Sequence, residues 1–576
     1  MRVILVCLLL SCLTQFGMAQ ERMWVFFTDK GPEVNCQLTQ PENLLGPEAI
    51  AKRKQLSIPL TESDVPVYAD YVAQTAEIAQ PISRSRWLNA VVVEGDAKDF
   101  QQILDLPFVR DIRPVATLVK AAYNEAELPQ ADETFMEEDP IVSPFQYGRA
   151  RHQNDMVQIM PLHAKGVTGK GVKIAVFDAG FRGADTIDVF DSLHTAGRLL
   201  AAYDFVDDDK DVYHASAHGT QVLSTIAANL PGKMVGTAPH VSVILCRTED
   251  ARSETRQEEH NWVKAMEWVD SIGVDIIHSS LGYSTFDTQD ESYTYEQMDG
   301  NTTIITKAAD VAAAKGILVT VSAGNEGNGT WHYITAPCDG DSVLCIGSVN
   351  RYQKRSSFSS FGPAADGRIK PDVVAMGSRT TVASPSNRIS SSDGTSFSGP
   401  IVAGLVACLR QAHPDRSNMD IIKAIQLSGD QTSMPDEEYG YGIPRAYMAD
   451  SLLSNVEDLS TVSIEIAEKP KRGRKAKPAS GGMPVIRSEP QFTENPQTVL
   501  DQSPKLLKVT TAASGAKIKD VKVMRGRKRV SLGAKGMKLN KKQTLAKIKL
   551  KDLAADQYYI VVKTDQYEEK IPFEVK

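Results

Sequence analysis

Three short stretches of the chain carry residue types that can support nucleophilic catalysis. In chain order they are FDAGF with Asp178, HGTQV with His218 and GTSFSGP with Ser396. A serine hydroxyl is a weak nucleophile near neutral pH, so it needs a neutral imidazole to take its proton and a carboxylate to hold that imidazole. Taken alone, GTSFSGP is more typical of a glycine-rich turn before a helix than of a nucleophile. Taken together, the three stretches predict a Ser-His-Asp triad with Ser396 as the nucleophile.

Each of these stretches stands where a predicted element begins or ends. Asp178 ends an apolar strand, His218 stands near a helix start, and Ser396 precedes a helix rich in small residues. A serine at a helix N-terminus faces free backbone N–H groups, which favour a developing oxyanion. A fourth stretch, SAGNEG, puts Asn325 at the end of another strand. We therefore expect the Asn325 side-chain amide to donate to the same oxyanion.

The region that holds these stretches alternates between apolar runs and helix-like segments. The apolar runs are KGVKIAVFDAGF (170–181), HVSVILCRT (240–248), VDIIHSSLG (274–282), GILVTVSAGN (316–325) and SVLCIGSVN (342–350). The helix-like segments include NWVKAMEWVDSIG (261–273) and TTIITKAADVAAAKG (302–316). This alternation predicts an α/β fold, with a parallel sheet covered by helices on both faces. Functional groups gather at the carboxyl ends of such strands.

Over residues 150–450 the sequence resembles the subtilisin-like serine proteases (subtilases, peptidase family S8). The resemblance rests on KGVKIAVFDAGF, HGTQVLSTIA, SSLG, SAGNEG, SSFSSFGP, KPDVVAMG, GTSFSGPIVAG and YGYGIPRA, in that order. It implies a seven-stranded parallel sheet between helices, Asp178, His218 and Ser396 as the triad, and Asn325 as the oxyanion donor. It also implies two substrate-binding segments, which are Ser279, Ser280, Leu281 and Gly282 in a strand that pairs with the substrate backbone, and Ser322, Ala323 and Gly324.

The sequence departs from the usual subtilase pattern at two of its motifs. Ala179 stands where the family more often has Ser or Thr, and Phe397-Ser398 stand where it more often has Met-Ala. Neither change removes a catalytic atom. We expect Phe397 to alter packing near the nucleophile, which puts the cleavage specificity in question and leaves activity intact.

The regions before and after the peptidase-like stretch predict a multidomain exported chain of 576 residues. Residues 1–19 read as a signal peptide cut after Ala19, with a buried N-terminal element and a lipoprotein-type signal at Cys12 as alternatives. Residues 20–120 show an α+β pattern and resemble the inhibitory propeptide of the family; a retained accessory domain is the alternative. We assign residues 121–150 to a linker and 151–455 to the peptidase domain.

The C-terminal part of the sequence is basic and rich in alternating strand patterns. Residues 456–504 form a Pro- and Lys-rich linker, and residues 505–576 predict a small all-β domain. Residues 505–551 hold sixteen Lys and Arg against one acid, Asp520. The last strands resemble the sorting domain of the type IX secretion system of Bacteroidetes, which makes that machinery a candidate partner. Polyanion binding by this domain is the alternative.

The sequence says less about metals, disulfides and nucleic acid. The acidic stretch DFVDDDKDVYH (204–214) suits either structural calcium or a solvated loop, and no metal-ligand set can be named. Cys338 and Cys345 are close enough for a local disulfide. We expect no nucleic-acid partner, because KPKRGRKAKP (469–478) fits a flexible basic linker better than a groove-binding segment. After residue 19, no run is long and apolar enough to cross a membrane.

The sequence as a whole predicts a secreted or cell-surface serine endopeptidase, made as a zymogen, that cleaves extended peptide or protein substrates through an acyl-enzyme. Its own propeptide is then an expected partner. No cofactor is assigned, and structural calcium stays open. The alternative is a catalytically silent surface binding protein built on the same scaffold. Complete catalytic residues favour the enzyme.

Overall fold

The computed structural model describes residues 21–116, 145–288 and 291–455, and beyond residue 455 it describes the backbone of strands between residues 499 and 575. The predicted signal peptide and nearly all of the two predicted linkers lie outside the described residues. Among the residues described, no helix combines the length and apolar character needed to cross a membrane.

The N-terminal unit is a four-stranded antiparallel sheet with helices packed on it. Its elements are β1 (Glu21–Phe27), α1 (Val34–Leu38), α2 (Pro47–Gln55), α3 (Ala69–Ala76), β2 (Gln80–Ser85), β3 (Ala90–Gly95), α4 (Ala97–Leu104) and β4 (Val109–Ala116). The strand order is β2-β3-β1-β4. The predicted α+β pattern is confirmed. The sequence pattern does not predict β2, because this edge strand carries a proline and mostly polar residues.

Strand β1 shows how the two faces of this sheet are used. Val25 and Phe27 are buried in the unit's own core with residues of α3 and α4. Trp24 and Phe26 point to the other face and are buried in a cluster shared with the next unit. Successive residues of a strand point to opposite faces. The sheet is therefore apolar on both faces, and its outer face is covered by the peptidase unit.

The peptidase unit contains the predicted parallel sheet. Its helices are α5 (Arg151–Met156), α6 (Met160–Ala164), α7 (Asp191–Thr195), α8 (His218–Ala227), α9 (Arg256–Ile272), α10 (Ile304–Ala314), α11 (Thr395–Ala412), α12 (Asn418–Ser428) and α13 (Ala446–Asn455). Its strands are β5 (Lys173–Asp178), β6 (Leu199–Asp204), β7 (Asn229–Leu230), β8 (Met234–Val235), β9 (Ser242–Arg247), β10 (Ile276–Ser279), β11 (Leu318–Ser322), β12 (Val343–Val349), β13 (Val373–Met376), β14 (Thr380–Ala383) and β15 (Ile389–Ser392).

Seven of these strands form one sheet in the order β13-β12-β11-β10-β5-β9-β6, with all neighbours parallel. Both faces are buried, since Ile174 and Val176 of β5 lie in one core cluster while Ala175 and Phe177 lie in the other. This confirms the predicted subtilisin-like α/β sheet between helices. A strand buried on both faces has a continuous apolar sequence, which is why the runs could be recognised.

Helix α9 begins earlier than its apolar pattern predicts. The pattern starts at residue 261, but the helix starts at Arg256 behind a capping box between Thr255 and Glu258. Each of these residues uses its side chain to satisfy the other's backbone N–H, which stabilises a polar first turn. The extra turn lies next to the N-terminal unit.

The packed chain also begins before residue 151, within the predicted 121–150 linker. Tyr147 and Ala150 are buried in the peptidase core, and Gly148 bridges Met234. Cys338 and Cys345 form a disulfide bond.

The C-terminal region contains strands in two sheets, in agreement with the predicted all-β domain. The strands are β16 (Val499–Leu500), β17 (Leu506–Thr510), β18 (Ile518–Arg525), β19 (Lys528–Arg529), β20 (Met537–Leu539), β21 (Leu545–Lys549), β22 (Asp556–Thr564) and β23 (Glu568–Val575). One sheet has the order β16-β23-β22-β18-β19 and the other β17-β21-β20.

Candidate active site

Asp178 is the last residue of β5, a central strand of the parallel sheet. Its carboxylate is fully buried, and Oδ1 accepts a hydrogen bond of 2.8 Å from the backbone N–H of Ala179. Oδ1 and Oδ2 also face Nδ1 of His218 at 2.8 and 3.0 Å. A carboxylate held in this way keeps the imidazole in one tautomer, with the Nδ1 proton facing Asp178 and Nε2 free to act as a base.

His218 is the first residue of α8 and is partly exposed. The turn that brings it to Asp178 is tight, since a Cβ on Gly219 would lie 2.5 Å from the carbonyl oxygen of Gly180. Burial lowers the pKa of His218, but the charge and the hydrogen bond of Asp178 outweigh burial and raise it above its ordinary value. The pair is therefore built to stabilise the imidazolium form.

Ser396 lies in the first turn of α11, which is buried over most of its length. Its side chain is nearly buried, and Oγ donates a hydrogen bond of 3.4 Å to the backbone carbonyl of Ser280. The ring of the next residue, Phe397, packs against the His218 ring with centroids 5.7 Å apart. The structure thus brings Asp178, His218 and the Ser396 turn together. In the described part of the chain, the Ser396 hydroxyl bonds to Ser280 and not to His218.

Ser280 and His278 support the Ser396 turn through a chain of hydrogen bonds. The Ser280 hydroxyl donates a hydrogen bond of 3.0 Å to the carbonyl of Ser396, and its oxygen lies 2.9 Å from Nε2 of His278. Nδ1 of His278 pairs with the Thr320 hydroxyl at 3.0 Å. Burial lowers the pKa of His278 to about 3, so this ring is neutral. His278 has no partner at metal-ligand spacing in the sequence, and its contact with the Ser396 turn runs through the Ser280 hydroxyl.

Asn325 is held by the residue that precedes the proposed nucleophile. Its Oδ1 accepts hydrogen bonds from the Thr395 backbone N–H at 2.9 Å and from the Thr395 hydroxyl at 3.0 Å. A backbone N–H can only donate, so the atom facing it must be the amide oxygen. The Nδ2 end of Asn325 therefore points away from Thr395 and remains able to donate.

The two predicted substrate-binding segments begin inside the sheet and leave it at the site. Ser279 is fully buried, pairs with Val321 and Phe177 in the sheet, and accepts a hydrogen bond from Trp262. Ser279 is thus the last residue of β10, and the strand does not extend to Gly282. Leu281 is partly exposed and Gly282 is exposed.

The second segment shows the same division between a buried start and an accessible end. Ser322 donates its hydroxyl to the Thr395 carbonyl at 2.9 Å. Ala323 is fully buried, and its N–H and carbonyl bond to Ile346 and Thr335. Gly324 is the first partly exposed residue of this segment. Among the predicted substrate-binding residues, solvent therefore reaches Leu281, Gly282 and Gly324, while Ser280 is buried.

The acidic loop 204–214 gathers Asp204, Asp207 and His214, whose ligand atoms lie within 4.8 Å of one another. The Arg247 guanidinium already contacts both carboxylates, with Nη1 2.6 Å from each. A second cation at this position would meet the Arg247 charge. These residues therefore do not fit a calcium ion.

Comparison with known proteins shows what this chain is similar to. Residues 169–442 match the model of the subtilase family, and residues 22–130 match that of the peptidase S8 propeptide domain of Bacteroidota. Subtilisin from Bacillus pumilus is 31% identical over 264 residues, which cover 45% of this chain and 84% of that protein. Subtilisin NAT from Bacillus subtilis subsp. natto is 30% identical over 291 residues, which cover 50% of this chain and 68% of that protein.

The chain belongs to the subtilase family. It is a hydrolase of the serine peptidase class, and its N-terminal unit is a propeptide domain of the type found in Bacteroidota. The propeptide match reaches residue 130, past the boundary predicted at residue 120. The exact domain limits of this subtilase stay predictions.

Proposed function

We propose that this subtilase is a secreted serine endopeptidase that uses Asp178, His218 and Ser396 to form and hydrolyse an acyl-enzyme. The observation that carries the proposal is the pairing of His218 Nδ1 with the buried Asp178 carboxylate, beside the turn that holds Ser396. A neutral imidazole oriented in this way can accept a proton at Nε2 and later return it. No other group is required for the proton transfers.

The Ser396 hydroxyl changes partners during the proposed reaction. In the free protein it bonds weakly to the Ser280 carbonyl, at 3.4 Å. Catalytic hydrogen bonds in free enzymes are often incomplete and form only when substrate is bound. When Ser396 Oγ attacks the peptide carbonyl, His218 takes its proton and passes it to the leaving amine. Water then attacks the ester, with His218 as the base again.

The oxyanion formed in each attack needs donors that are in place beforehand. Asn325 supplies one through Nδ2, since its oxygen is held by Thr395. The first turn of α11 supplies another, because the first N–H groups of a helix have no carbonyl partner within it. Asn325 contacts Thr395, and the backbone donors belong to the turn that holds Ser396. The negative charge would thus be shared between a side chain and the backbone.

The substrate of the proposed reaction is an extended segment of peptide. Leu281 and Gly282 leave β10 with an accessible backbone, which can pair with a peptide by strand addition. Gly324 lies opposite, on the segment that leads to Asn325. A peptide held between these segments presents its carbonyl to Ser396.

The propeptide domain keeps the precursor inactive until cleavage in this proposal. It covers α9 through contacts such as Trp24 with the His260 ring, whose centroids are 5.2 Å apart. We propose that cleavage in the 121–150 linker frees the enzyme after export by the 1–19 signal. The type IX secretion machinery and the 505–576 domain complete the export route.

Labelling with a fluorophosphonate tests the proposal directly. The wild-type protein should label once, at Ser396, and hydrolyse casein. Ser396→Ala should lose both, and Ser398→Ala, two residues away in the same helix turn, should keep both. A wild type that folds but never labels would mean a catalytically silent binding protein.

Mass spectrometry of the secreted protein tests the zymogen part. The wild type should begin within the 121–150 linker, and Ser396→Ala should keep residues 20–120. If both secreted proteins retain residues 20–120, that domain is a permanent accessory domain and not a removed propeptide.

A further inference from the structure

We propose that His278 is a positioning residue for the nucleophile of this subtilase. Its ring donates a hydrogen bond to the Ser280 hydroxyl, and that hydroxyl holds the first turn of α11 in the place that Ser396 needs for attack. This role rests on the proposed function, because it concerns how Ser396 is presented to His218 and to the substrate.

The backbone carbonyl of Ser396 lacks its ordinary partner within α11. In an α-helix a carbonyl accepts from the N–H four residues further along the chain. Four residues after Ser396 stands Pro400, which has no N–H. Both residues are buried, where an unpaired carbonyl is costly. The Ser280 hydroxyl takes the place of the missing donor at 3.0 Å, so a side chain outside α11 completes the turn that carries the nucleophile.

The Ser280 hydroxyl has one proton and two neighbours that could accept it. One is the Ser396 carbonyl, and the other is Nε2 of His278 at 2.9 Å. If the proton goes to Ser396, Nε2 must carry a proton of its own, since two acceptors would otherwise meet at 2.9 Å. If the proton goes to His278, the buried Ser396 carbonyl is left without this donor. The arrangement therefore favours the His278 tautomer with its proton on Nε2.

The other ring nitrogen of His278 has a partner that suits this tautomer. Nδ1 lies 3.0 Å from the Thr320 hydroxyl, which can donate to a bare ring nitrogen. Burial lowers the pKa of His278 to about 3, so the ring is neutral and carries a single proton. The Thr320 hydroxyl also lies 3.1 Å from the carbonyl of Ile277, but Ile277 belongs to a central strand, where the sheet supplies backbone donors. Thr320, His278 and Ser280 thus form one chain whose donors all point toward the Ser396 turn.

The bond from the Ser280 hydroxyl is the one that can persist during the reaction. In the free protein, residues 280 and 396 hold each other twice, because the Ser396 hydroxyl also donates to the Ser280 carbonyl at 3.4 Å. That second bond is lost when Ser396 turns to His218 and attacks. The first bond then keeps both the nucleophile and the backbone donors of the turn in place. A displacement of about 1 Å at such a site can lower the rate by about 100-fold.

Steady-state kinetics on one peptide substrate tests this role, with protein purified after expression of the full chain. Ser280→Ala and His278→Leu should each lower kcat by about 10- to 100-fold and leave KM within about 3-fold of the wild type. The double variant should be no slower than Ser280→Ala, because His278 acts through the Ser280 hydroxyl. An unchanged kcat in either single variant, or losses that multiply in the double variant, overturns the proposal.

Two further variants separate the hydrogen bond from a general effect on folding. His278→Gln keeps an N–H donor that can reach the Ser280 hydroxyl, so it should recover most of the kcat lost in His278→Leu. His163→Leu is the matched control, because His163 is also fully buried and its Nε2 lies 4.0 Å from Sγ of Cys408, near the other end of α11. It should lower the melting temperature and keep kcat. Equal losses of kcat in His163→Leu and His278→Leu, or no recovery in His278→Gln, overturn the proposal.

Nitrogen-15 NMR of the histidine rings tests the direction of the hydrogen-bond chain. The full chain with Ser396→Ala keeps the backbone carbonyl at position 396 and cannot digest itself. Near neutral pH, the His278 ring should show a protonated Nε2 and a bare Nδ1, and adding His278→Gln to this chain assigns the signal by its loss. A proton on Nδ1 would overturn the proposal, because the Ser280 hydroxyl would then have to donate to His278.

Active-site titration with the fluorophosphonate separates these outcomes from failure of the proposed function. Rates are expressed per labelled site, so a variant that folds poorly still reports its own kcat. An unlabelled and inactive wild type overturns the proposed function and with it this inference. A labelled and active wild type whose His278→Leu variant keeps kcat overturns the inference alone.

Discussion

The nucleophile turn carries the residues at which this subtilase departs from the usual family pattern. Phe397 is 2% exposed, and its ring contacts the His218 ring. Ser398 is fully buried and donates its hydroxyl to the Thr395 carbonyl at 3.0 Å. Both side chains are thus buried in the protein interior. Phe397 therefore packs against His218, and Ser398 is bonded within the first turn of α11.

At the scale of single residues, Asn325→Ala should lower kcat by about 10²- to 10³-fold with little change in KM. The reason is that Nδ2 would act only once the carbonyl oxygen becomes negative. Steady-state kinetics on one peptide substrate measures both constants. Asn328→Ala, an exposed asparagine close by in the chain, is the control and should match the wild type. A change confined to KM would contradict the oxyanion role.

The pH dependence of the reaction should report the His218–Asp178 pair. His218 must be neutral to accept a proton, and its pKa is raised above 6.5. Activity should therefore fall as pH falls through this raised pKa, with the midpoint of kcat/KM above pH 6.5. Asp178→Asn removes the charge that raises the pKa of His218, so burial should lower this pKa. The midpoint should then move to lower pH, and the plateau of kcat/KM should fall by about 10⁴-fold. An unmoved midpoint in Asp178→Asn would show that another group titrates.

At the scale of elements, the site depends on how closely α11 approaches the sheet. A Cβ on Gly399 would lie 2.5 Å from Ser322 Oγ and 2.9 Å from the His278 ring. Ser322 in turn holds the Thr395 carbonyl at 2.9 Å. Glycine at this helix position therefore allows the first turn of α11 to rest directly on the ends of β10 and β11.

Gly399→Ala should destabilise the protein by about 1–3 kcal/mol, although alanine is the better helix former. It should also lower kcat, because the displaced turn carries Ser396. Thermal unfolding and kinetics measure the two effects. The double variant Gly399→Ala/Ser322→Ala should recover part of the stability, since it removes the hydroxyl that the new methyl group meets. If the two substitutions lower the stability additively, the strain caused by Gly399→Ala does not arise from contact with the Ser322 hydroxyl.

At the scale of the whole molecule, the propeptide domain and the peptidase unit share buried charges. Arg53 of the propeptide domain contacts Asp64 at 2.9 Å and Asp270 of α9 at 2.9 Å. Lys315 of the peptidase unit contacts Asp64 in return, and Arg86 contacts Asp270 at 3.0 Å. Arg53, Asp64, Asp270 and Lys315 are buried and Arg86 is partly buried, and the charges compensate one another across the interface. Removing one leaves the others uncompensated.

Arg53→Ala should weaken the docking of the propeptide domain by about 3–5 kcal/mol. The experiment uses the full chain with Ser396→Ala, so that both domains remain in one molecule. Hydrogen exchange should become faster in α9 and β1. Lys54→Ala is the matched control. Lys54 is the exposed neighbour of Arg53 in α2, so this variant removes a positive charge outside the interface. Equal exchange in the two variants would mean that the cluster does not hold the domains together.

The sequence alone predicted the parts of this protein that leave a local pattern. The strands β5, β9, β10, β11 and β12 are apolar because they are buried on both faces, and short motifs mark the turns that hold Asp178, His218, Asn325 and Ser396. The polar edge strand β2 and the first turn of α9 have weaker patterns, so they were missed or shortened. Domain order followed from composition and from the resemblance.

Only the tertiary structure decided which groups meet across the chain. It placed Thr335 between Gly282 and Gly324, His278 behind Ser280, and Arg247 between the carboxylates of the acidic loop. It also showed that Ser279 and Ala323 use their backbone groups within the protein. Such contacts join residues far apart in sequence, and their geometry depends on how the strands and helices pack. The sequence therefore determined the class of chemistry, and the packing decided the shape of the site that performs it.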